Sequence, residues 1–190
     1  MPSVGDSLRE QPSPDFVARL ARWRVPSGFA FAAVVLWLAQ PGWRSLAVGG
    51  GVALVGEAVR VWAAGHLRKS REVTVSGPYR WTRHPLYAGS IIIGIGLAMI
   101  AHSAAAALVI LVYLGVMITA AIRSEEAFLT RTFGARYARY RAQGAGAASG
   151  EVDRRFSLAQ AMANREYRAI AGLAITLAVL AAKGWLIGTL

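Results

Sequence analysis

The sequence predicts an all-α integral membrane protein with about five transmembrane helices. Composition is the first reason: the 190 residues are 55% hydrophobic and only 16% charged, whereas roughly 25% of the residues in a soluble domain are charged. The second reason is that the apolar residues form five continuous stretches. Each is near the ~20 residues that a helix needs to cross a bilayer.

The five stretches cover residues 26–41, 44–65, 85–101 and 104–122, and a last one runs from Ala169 to 190. The breaks at 40–42 and 101–103 are so short that they predict two tight helical hairpins. Residues 19–40 also have an alternative interpretation as a signal peptide, because a basic region precedes an apolar core. No convincing A-x-A cleavage site accompanies it.

The basic residues predict the orientation. Four arginines precede the first stretch, five basic residues lie between the second and third, and nine arginines lie between the fourth and fifth. Only Arg44 and Lys183 fall on the other side. By the positive-inside rule, the N-terminus is cytoplasmic and the C-terminus lies outside. The net charge of +11 then reflects topology and contact with anionic lipids, and we do not expect nucleic-acid binding.

The absence of cysteine excludes disulfides, thiolate catalysis and cysteine-bound metals. The three histidines are not expected to form a metal site, because the predicted topology places His102 on the opposite side of the membrane from His66 and His84. Glu57 and Arg60 lie inside the second stretch and are three residues apart, so they are predicted to pair on one helical face.

The first polar segment, residues 66–84, ends in the string GPYRWTRH. It contains a short β-like run and a Ser-Gly-Pro turn. Pro85 predicts the start of the third helix, with His84 and Tyr87 at a first turn that favours an anion. Gly89 and Gly96 share a face and predict close approach by another helix or by a ligand. The alternative interpretation of this cluster is an interfacial belt of aromatic and basic residues.

The second polar segment, residues 123–142, repeats apolar and aromatic residues at helical spacing. It predicts a helix on the membrane surface with its aromatic face toward the acyl chains. Glu125 and Glu126 are either a solvated pair favoured by a helix dipole or the binding site of a cationic ligand.

These two segments resemble the isoprenylcysteine carboxyl methyltransferase family and its bacterial relatives. GPYRWTRHPLYAG begins at Gly77 and RSEEAFLTRTFGARYARY begins at Arg123. They are similar to the family pattern G-x-Y-x-x-x-R-H-P-x-Y-x-G followed, after two membrane helices, by E-E-x-x-L-x-x-x-F-G-x-x-Y-x-x-Y. The resemblance covers roughly residues 44–141.

The resemblance implies a membrane methyltransferase that uses S-adenosylmethionine without a Rossmann fold, in a pocket on the cytoplasmic side, and acts on a lipidic or prenylated substrate. It implies cofactor contacts from both motifs and from the segment before the first. These contacts are Val73, Thr74, Tyr79, His84, Pro85, Leu86, Tyr87 and Glu125.

The chain departs from the family pattern at one position that bears on the substrate. The family has an arginine four residues before the first glutamate of the pair, but this chain has Ala121 there. Arg83 and Arg123 are therefore the candidates to hold a substrate carboxylate, in carboxyl O-methylation of an isoprenylcysteine-like group. The alternatives are N-methylation of a phospholipid, with His84 or a glutamate as base, a nicotinamide-dependent membrane reductase, and a non-catalytic bundle.

We therefore expect a cytoplasmic segment at 1–25, a methyltransferase core at 26–143, and an extension at 144–190. The extension combines a Gly/Ala/Ser-rich linker, a short interfacial helix over 156–168 and the fifth transmembrane helix. Richness in Ala, Gly and Arg favours a bacterial inner membrane. The sequence indicates no metal cofactor and no oligomeric state.

Overall fold

The computed structural model describes residues 28–68, 74–143 and 155–189. The predicted cytoplasmic segment 1–25, the linker after 143 and Val73 lie outside these residues. Within them the chain is helical and contains no strand. The helices are α1 (Gly28–Leu38), α2 (Trp43–His66), α3 (Pro85–Ala101), α4 (Ala104–Gln143), α5 (Leu158–Ala163) and α6 (Tyr167–Leu186), with a 3₁₀ helix at Gly77–Arg80.

The predicted all-α membrane architecture is confirmed. Each of the five apolar stretches contains a helix, and both short breaks are turns between helices. Three of the helices are long and apolar enough to cross a bilayer: α2, the Ala104–Ala135 part of α4, and α6. The other two, α1 and α3, are shorter apolar helices.

The segment predicted as a separate surface helix at 123–142 continues α4 without a break as far as Gly134. There the backbone leaves the helical region, with φ 46° and ψ −121°. No glycine or proline occurs between the apolar part of α4 and Gly134, so nothing in the sequence terminates the helix where its polarity changes.

Helices α2 and α3 are held together by four glycines in two facing pairs. A Cβ atom on Gly56 would lie 2.7 Å from the Gly89 carbonyl oxygen, and one on Gly49 would lie 2.5 Å from that of Gly96. The close approach predicted for Gly89 and Gly96 is confirmed, and the partner is a helix. Such backbone contact packs membrane helices, which gain little from hydrophobic association in lipid.

Helix α4 packs on a different face of α3, where the Leu114 side chain lies against Gly94. The buried apolar cluster lies further along the bundle, away from the polar loops. Its members come from α3, α4, α6 and the residue that follows α1, and they are Ala39, Ile100, Ala101, Ala106, Ile110 and Leu180.

Hydrogen bonds tie the helix ends together beside this cluster. The Gln40 N–H donates to the Ala101 carbonyl at 2.8 Å. The Thr189 hydroxyl donates to the Pro41 carbonyl at 2.5 Å, and the Lys183 ammonium donates to the carbonyls of Leu36 and Ala39. Both hairpin turns and the end of α6 thus lie at one end of the bundle. The polar segments lie at the other, which we call the site end.

Residues 156–164 of the C-terminal extension pack on the site end of α2. The short helix predicted over 156–168 is shorter than expected and covers only α5, whose Ala161 is fully buried. The Asn164 side chain donates to the Ala64 and Leu67 carbonyls, each at 2.8 Å. It therefore satisfies carbonyls at the α2 C-terminus, which have no partner within the helix. Arg165 then turns the chain with φ 64°, and α6 begins at Tyr167.

Candidate functional site

Residues 74–80 of the first polar segment form a compact turn against the end of α2. Gly77 has φ 58° and lies so close to the His66 ring that a Cβ atom there would be 2.7 Å from it. Only glycine fits this combination of backbone conformation and contact. Thr74 and Tyr79 are buried on either side of the turn, and the Thr74 hydroxyl accepts a hydrogen bond from the Arg68 N–H at 3.3 Å.

Helix α3 begins at Pro85, as predicted. His84 is the N-cap, and its carbonyl accepts the Tyr87 and Ala88 N–H groups at 3.1 and 3.0 Å. No side chain caps this turn. The His84 side chain is therefore not used as a cap and points elsewhere.

The His84 side chain lies between two carboxylates of α4. Its Nδ1 is 3.9 Å from Glu125 Oε2, and its Nε2 is 3.5 Å from Glu126 Oε1. Arg83 joins the cluster, with its guanidinium 3.8 Å from the same Glu126 oxygen. The structure thus brings together the two motifs that the sequence separates by some 40 residues.

Both His84 ring nitrogens are buried and make no hydrogen bond. The side chain is only 16% exposed, whereas that of Glu125 is 41% exposed. A buried polar atom that makes no hydrogen bond costs free energy of folding. A ligand that forms a hydrogen bond with one of these nitrogens would remove that cost, which favours its binding. The Tyr87 ring lies beside His84, with the centroids 5.7 Å apart.

A second contact joins the same two segments. Tyr137 is buried and packs with Val75, Leu129 and Phe133. The aromatic face of 123–142, predicted to face lipid, is therefore used at least partly within the protein. Glu126, Leu129, Phe133 and Tyr137 recur at helical spacing. Glu126 therefore lies on the same helical face as the apolar residues. A carboxylate on that face indicated that the face packs against protein and not against acyl chains.

The remaining predicted residues have different surroundings. Pro85 is buried and Leu86 is half-buried in the first turn of α3. Arg123 is exposed and the ion pair in this cluster involves Arg83 instead. The sequence offered Glu126 only as a member of the glutamate pair, and the resemblance implies a cofactor contact from Glu125 alone. In the structure Glu126 is nearer to His84 than Glu125 is.

A separate charged cluster lies on α2. Arg60 was predicted to pair with Glu57, and these side chains are 3.9 Å apart. Its nearer partner, missed from the sequence, is Glu166 of the C-terminal extension, at 2.7 Å. Nothing in the sequence near residue 60 signals a partner 106 positions away. In the part of the chain that the structure describes, no three His, Cys, Asp or Glu side chains are grouped so that they could hold a metal ion.

The arrangement is a half-open polar cluster at the end of an apolar bundle, assembled from a histidine-proline helix start and a glutamate pair. Comparison with known protein families finds a match for the segment that contains this cluster. Residues 45–136 match the phospholipid methyltransferase family. This match confirms the resemblance found in the sequence, because the family belongs to the isoprenylcysteine carboxyl methyltransferase-like superfamily of membrane methyltransferases. The matched segment contains the whole cluster of Arg83, His84, Glu125 and Glu126.

Two curated proteins are similar to the chain. The nickel-cobalt-cadmium resistance protein NccN of Alcaligenes xylosoxydans xylosoxydans is 33% identical over 60% of this chain and 57% of its own length. The cobalt-zinc-cadmium resistance protein CzcN of Cupriavidus metallidurans is 32% identical over 60% of this chain and 56% of its own length. The match therefore spans little more than half of each relative. No solved structure matches the chain.

Proposed function

We propose that this protein is an S-adenosylmethionine-dependent methyltransferase whose acceptor is a lipidic or prenylated molecule that enters from the bilayer. The observation that carries the proposal is the position of His84 between Glu125 and Glu126, at 3.9 and 3.5 Å. The matched family supports it, because membrane methyltransferases of this superfamily imply that methyl donor.

The residues present fit this donor. It is a cation at sulfur and carries an α-amino acid group and a nucleoside. Two carboxylates beside His84 suit its positive charges, and the uncapped first turn of α3 suits its carboxylate. The two buried His84 nitrogens without hydrogen bonds offer partners to its polar groups. We assign to this pocket those contacts implied by the resemblance that lie among the described residues. They are Thr74, Tyr79, His84, Pro85, Leu86, Tyr87 and Glu125.

The donor supplies an electrophilic methyl group on a positively charged sulfur, so the protein has to align the acceptor and exclude water. A carboxylate acceptor needs no base: the new bond is C–O, and the electron pair of the broken C–S bond stays on sulfur. Arg83 or Arg123 would orient that carboxylate by charge-assisted hydrogen bonds. Arg123 is exposed, whereas Arg83 is already within 3.8 Å of Glu126.

An amine acceptor, as in a phospholipid headgroup, is the second candidate. The excess of carboxylates over arginines in the cluster favours a cationic acceptor over an anionic one, and the matched family is named for phospholipid substrates. An ammonium must lose a proton before its nitrogen attacks the methyl carbon. His84 or a glutamate of the pair would accept that proton. A neutral His84 has a lone pair on one ring nitrogen, and neither ring nitrogen makes a hydrogen bond.

A methyl-transfer assay separates the two acceptors. The purified protein in lipid vesicles is supplied with labelled S-adenosylmethionine and either a farnesylated cysteine analogue or phosphatidylethanolamine. Base-labile label on the cysteine analogue supports the carboxylate acceptor, and base-stable label on the phospholipid supports the amine acceptor. If Arg83→Ala and Arg123→Ala both leave the KM for the cysteine analogue unchanged, neither arginine holds its carboxylate.

We place the protein in the bacterial inner membrane, with the site end cytoplasmic, the N-terminus inside and the C-terminus outside. The asymmetric distribution of basic residues supports this orientation. A soluble methyl donor would then reach the pocket from the cytoplasm while the acceptor arrives from the surrounding lipid.

A further inference from the structure

Residues of the C-terminal extension contact the matched segment 45–136 at two places. From each place, further contacts continue to the predicted donor pocket. One is the C-terminal end of α2, just before the turn with Thr74 and Tyr79. The other is Arg60, which faces the start of α3. The matched family ends at residue 136, so the extension lies beyond it.

The first route runs through Asn164. Its side chain holds the Ala64 and Leu67 carbonyls, and the Ser157 N–H donates to the Gly65 carbonyl at 3.3 Å. Phe156 covers Gly65 and lies beside the His66 ring, with the centroids 6.1 Å apart. Since the His66 ring is the surface on which Gly77 rests, the extension supports the turn that carries Tyr79.

The second route runs through Arg60. Glu166 holds one Arg60 nitrogen at 2.7 Å, and another Arg60 nitrogen donates to the Ser90 hydroxyl at 2.5 Å. The Ser90 hydroxyl in turn donates to the Leu86 carbonyl at 3.0 Å. This chain of polar contacts connects the extension to the first turn of α3, two residues from His84.

The Arg60–Glu166 ion pair in this second set of contacts is largely buried, so the two side chains are held together firmly. Glu166 is 7% exposed and Arg60 is 20% exposed at the side chain. A charge pair at this depth is costly to separate, because each member would leave the other unpaired in a medium of low dielectric constant. The position of Ser90 and the first turn of α3 is therefore coupled to that of Glu166.

We propose that the segment from Phe156 to Glu166 is a clamp that positions two parts of the methyl-donor pocket. These parts are the turn that carries Tyr79 and the first turn of α3 beside His84. Asn164 is a positioning residue within the clamp, and Ser90 of α3 is a positioning residue that connects the clamp to the pocket through Arg60. Neither is assigned a contact with the donor, and each acts on backbone carbonyls, Asn164 on those of Ala64 and Leu67 and Ser90 on that of Leu86. The clamp rests on the proposed function in that the pocket it positions is the one assigned to S-adenosylmethionine.

Binding of S-adenosylhomocysteine to the purified full chain in detergent tests the clamp. We expect Ser90→Ala and Asn164→Ala each to raise the Kd about five- to tenfold, which is the effect of losing one or two hydrogen bonds that position a site. Ser90→Thr retains a hydroxyl and should restore the wild-type Kd.

Thr189→Val is the matched control. It removes a hydrogen bond that also ties the C-terminal region to the core, at the opposite end of the bundle. It should leave the Kd unchanged even if it lowers the ligand-free Tm. An equal rise in Kd for Thr189→Val, or an unchanged Kd for both Ser90→Ala and Asn164→Ala, would overturn the clamp.

Hydrogen exchange without ligand distinguishes failure of the clamp from failure of the proposed function. Asn164→Ala and Ser90→Ala should speed amide exchange in 74–88, and Thr189→Val should not. Wild-type protein that does not bind S-adenosylhomocysteine contradicts the proposed function. Unchanged exchange in both clamp variants contradicts the clamp, whether or not the ligand binds.

Discussion

His84 is the side chain at which the two polar motifs meet. Pro85 fixes the helix start beside it, so the imidazole is directed by a rigid backbone and not by a flexible loop. Glu125 and Glu126 reach it from the same turn of α4, but they differ in their other contacts. Arg83 lies close to Glu126, whereas the Glu125 carboxylate is the more exposed of the two.

This difference predicts unequal effects of removing the two charges. Glu125→Gln should raise the Kd for S-adenosylhomocysteine about tenfold, because a charge-assisted contact to a ligand is lost. Glu126→Gln, the matched control, should have a smaller effect, since the charge it removes is balanced by Arg83. Isothermal titration measures both constants. A larger effect for Glu126→Gln would assign the ligand contact to the second glutamate.

The α2–α3 pair is the element that sets the geometry of the site. Gly56 and Gly89 bring the helix backbones into contact, and the ends of the two helices carry the turn with Tyr79 and the first turn with His84. Any change that separates these backbones therefore separates the two parts of the predicted pocket.

Alanine substitutions on α2 test this crossing. Gly56→Ala should destabilise the fold by about 1–3 kcal/mol, because its methyl group would overlap backbone atoms of Gly89 and Ile93 that cannot move aside. Gly51→Ala lies on the same helix, and its methyl group would meet no atom within 4 Å. It should be neutral or stabilise by up to about 1 kcal/mol. Thermal unfolding in detergent compares them, and equal Tm values would contradict the tight crossing.

Local sequence patterns predicted where helices occur. They were less reliable for where each helix ends and for which residues it packs against. The start at Pro85 and the glycine face of α3 depend on neighbouring residues, so they could be derived from the sequence. The continuation of α4 past residue 122 was missed, because a change from apolar to polar residues marks a membrane boundary and does not terminate a helix. The burial of Tyr137 was missed because its partner Val75 lies in a loop.

Some features of the candidate site could likewise be predicted from the sequence, and others could not. The resemblance predicted that His84 and Glu125 belong together, and the structure places them 3.9 Å apart. The exposure of Arg123 and the Arg60–Glu166 pair could not be derived, because both depend on how distant elements pack. No periodicity within α2 indicates that a glutamate at position 166 will approach Arg60.

At the scale of the whole molecule, exposed aromatic residues lie at both ends of the bundle. Trp37, Trp43 and Trp185 are exposed at the end with the hairpin turns, and Trp81 and Tyr167 at the site end. Tryptophan and tyrosine favour the two membrane–water interfaces. This distribution fits a bundle that spans the bilayer, with the polar cluster at the headgroup level, where the proposed soluble donor and the proposed lipid acceptor could both reach it.

Stabilisation of the whole protein by a donor product tests the central claim most directly. Ligands that bind only the folded state raise the Tm by mass action. Saturating S-adenosylhomocysteine should raise the Tm of the detergent-purified protein, and NADPH at the same concentration should not. A shift with NADPH and none with S-adenosylhomocysteine would contradict the methyltransferase account and favour a reductase that shares the bundle.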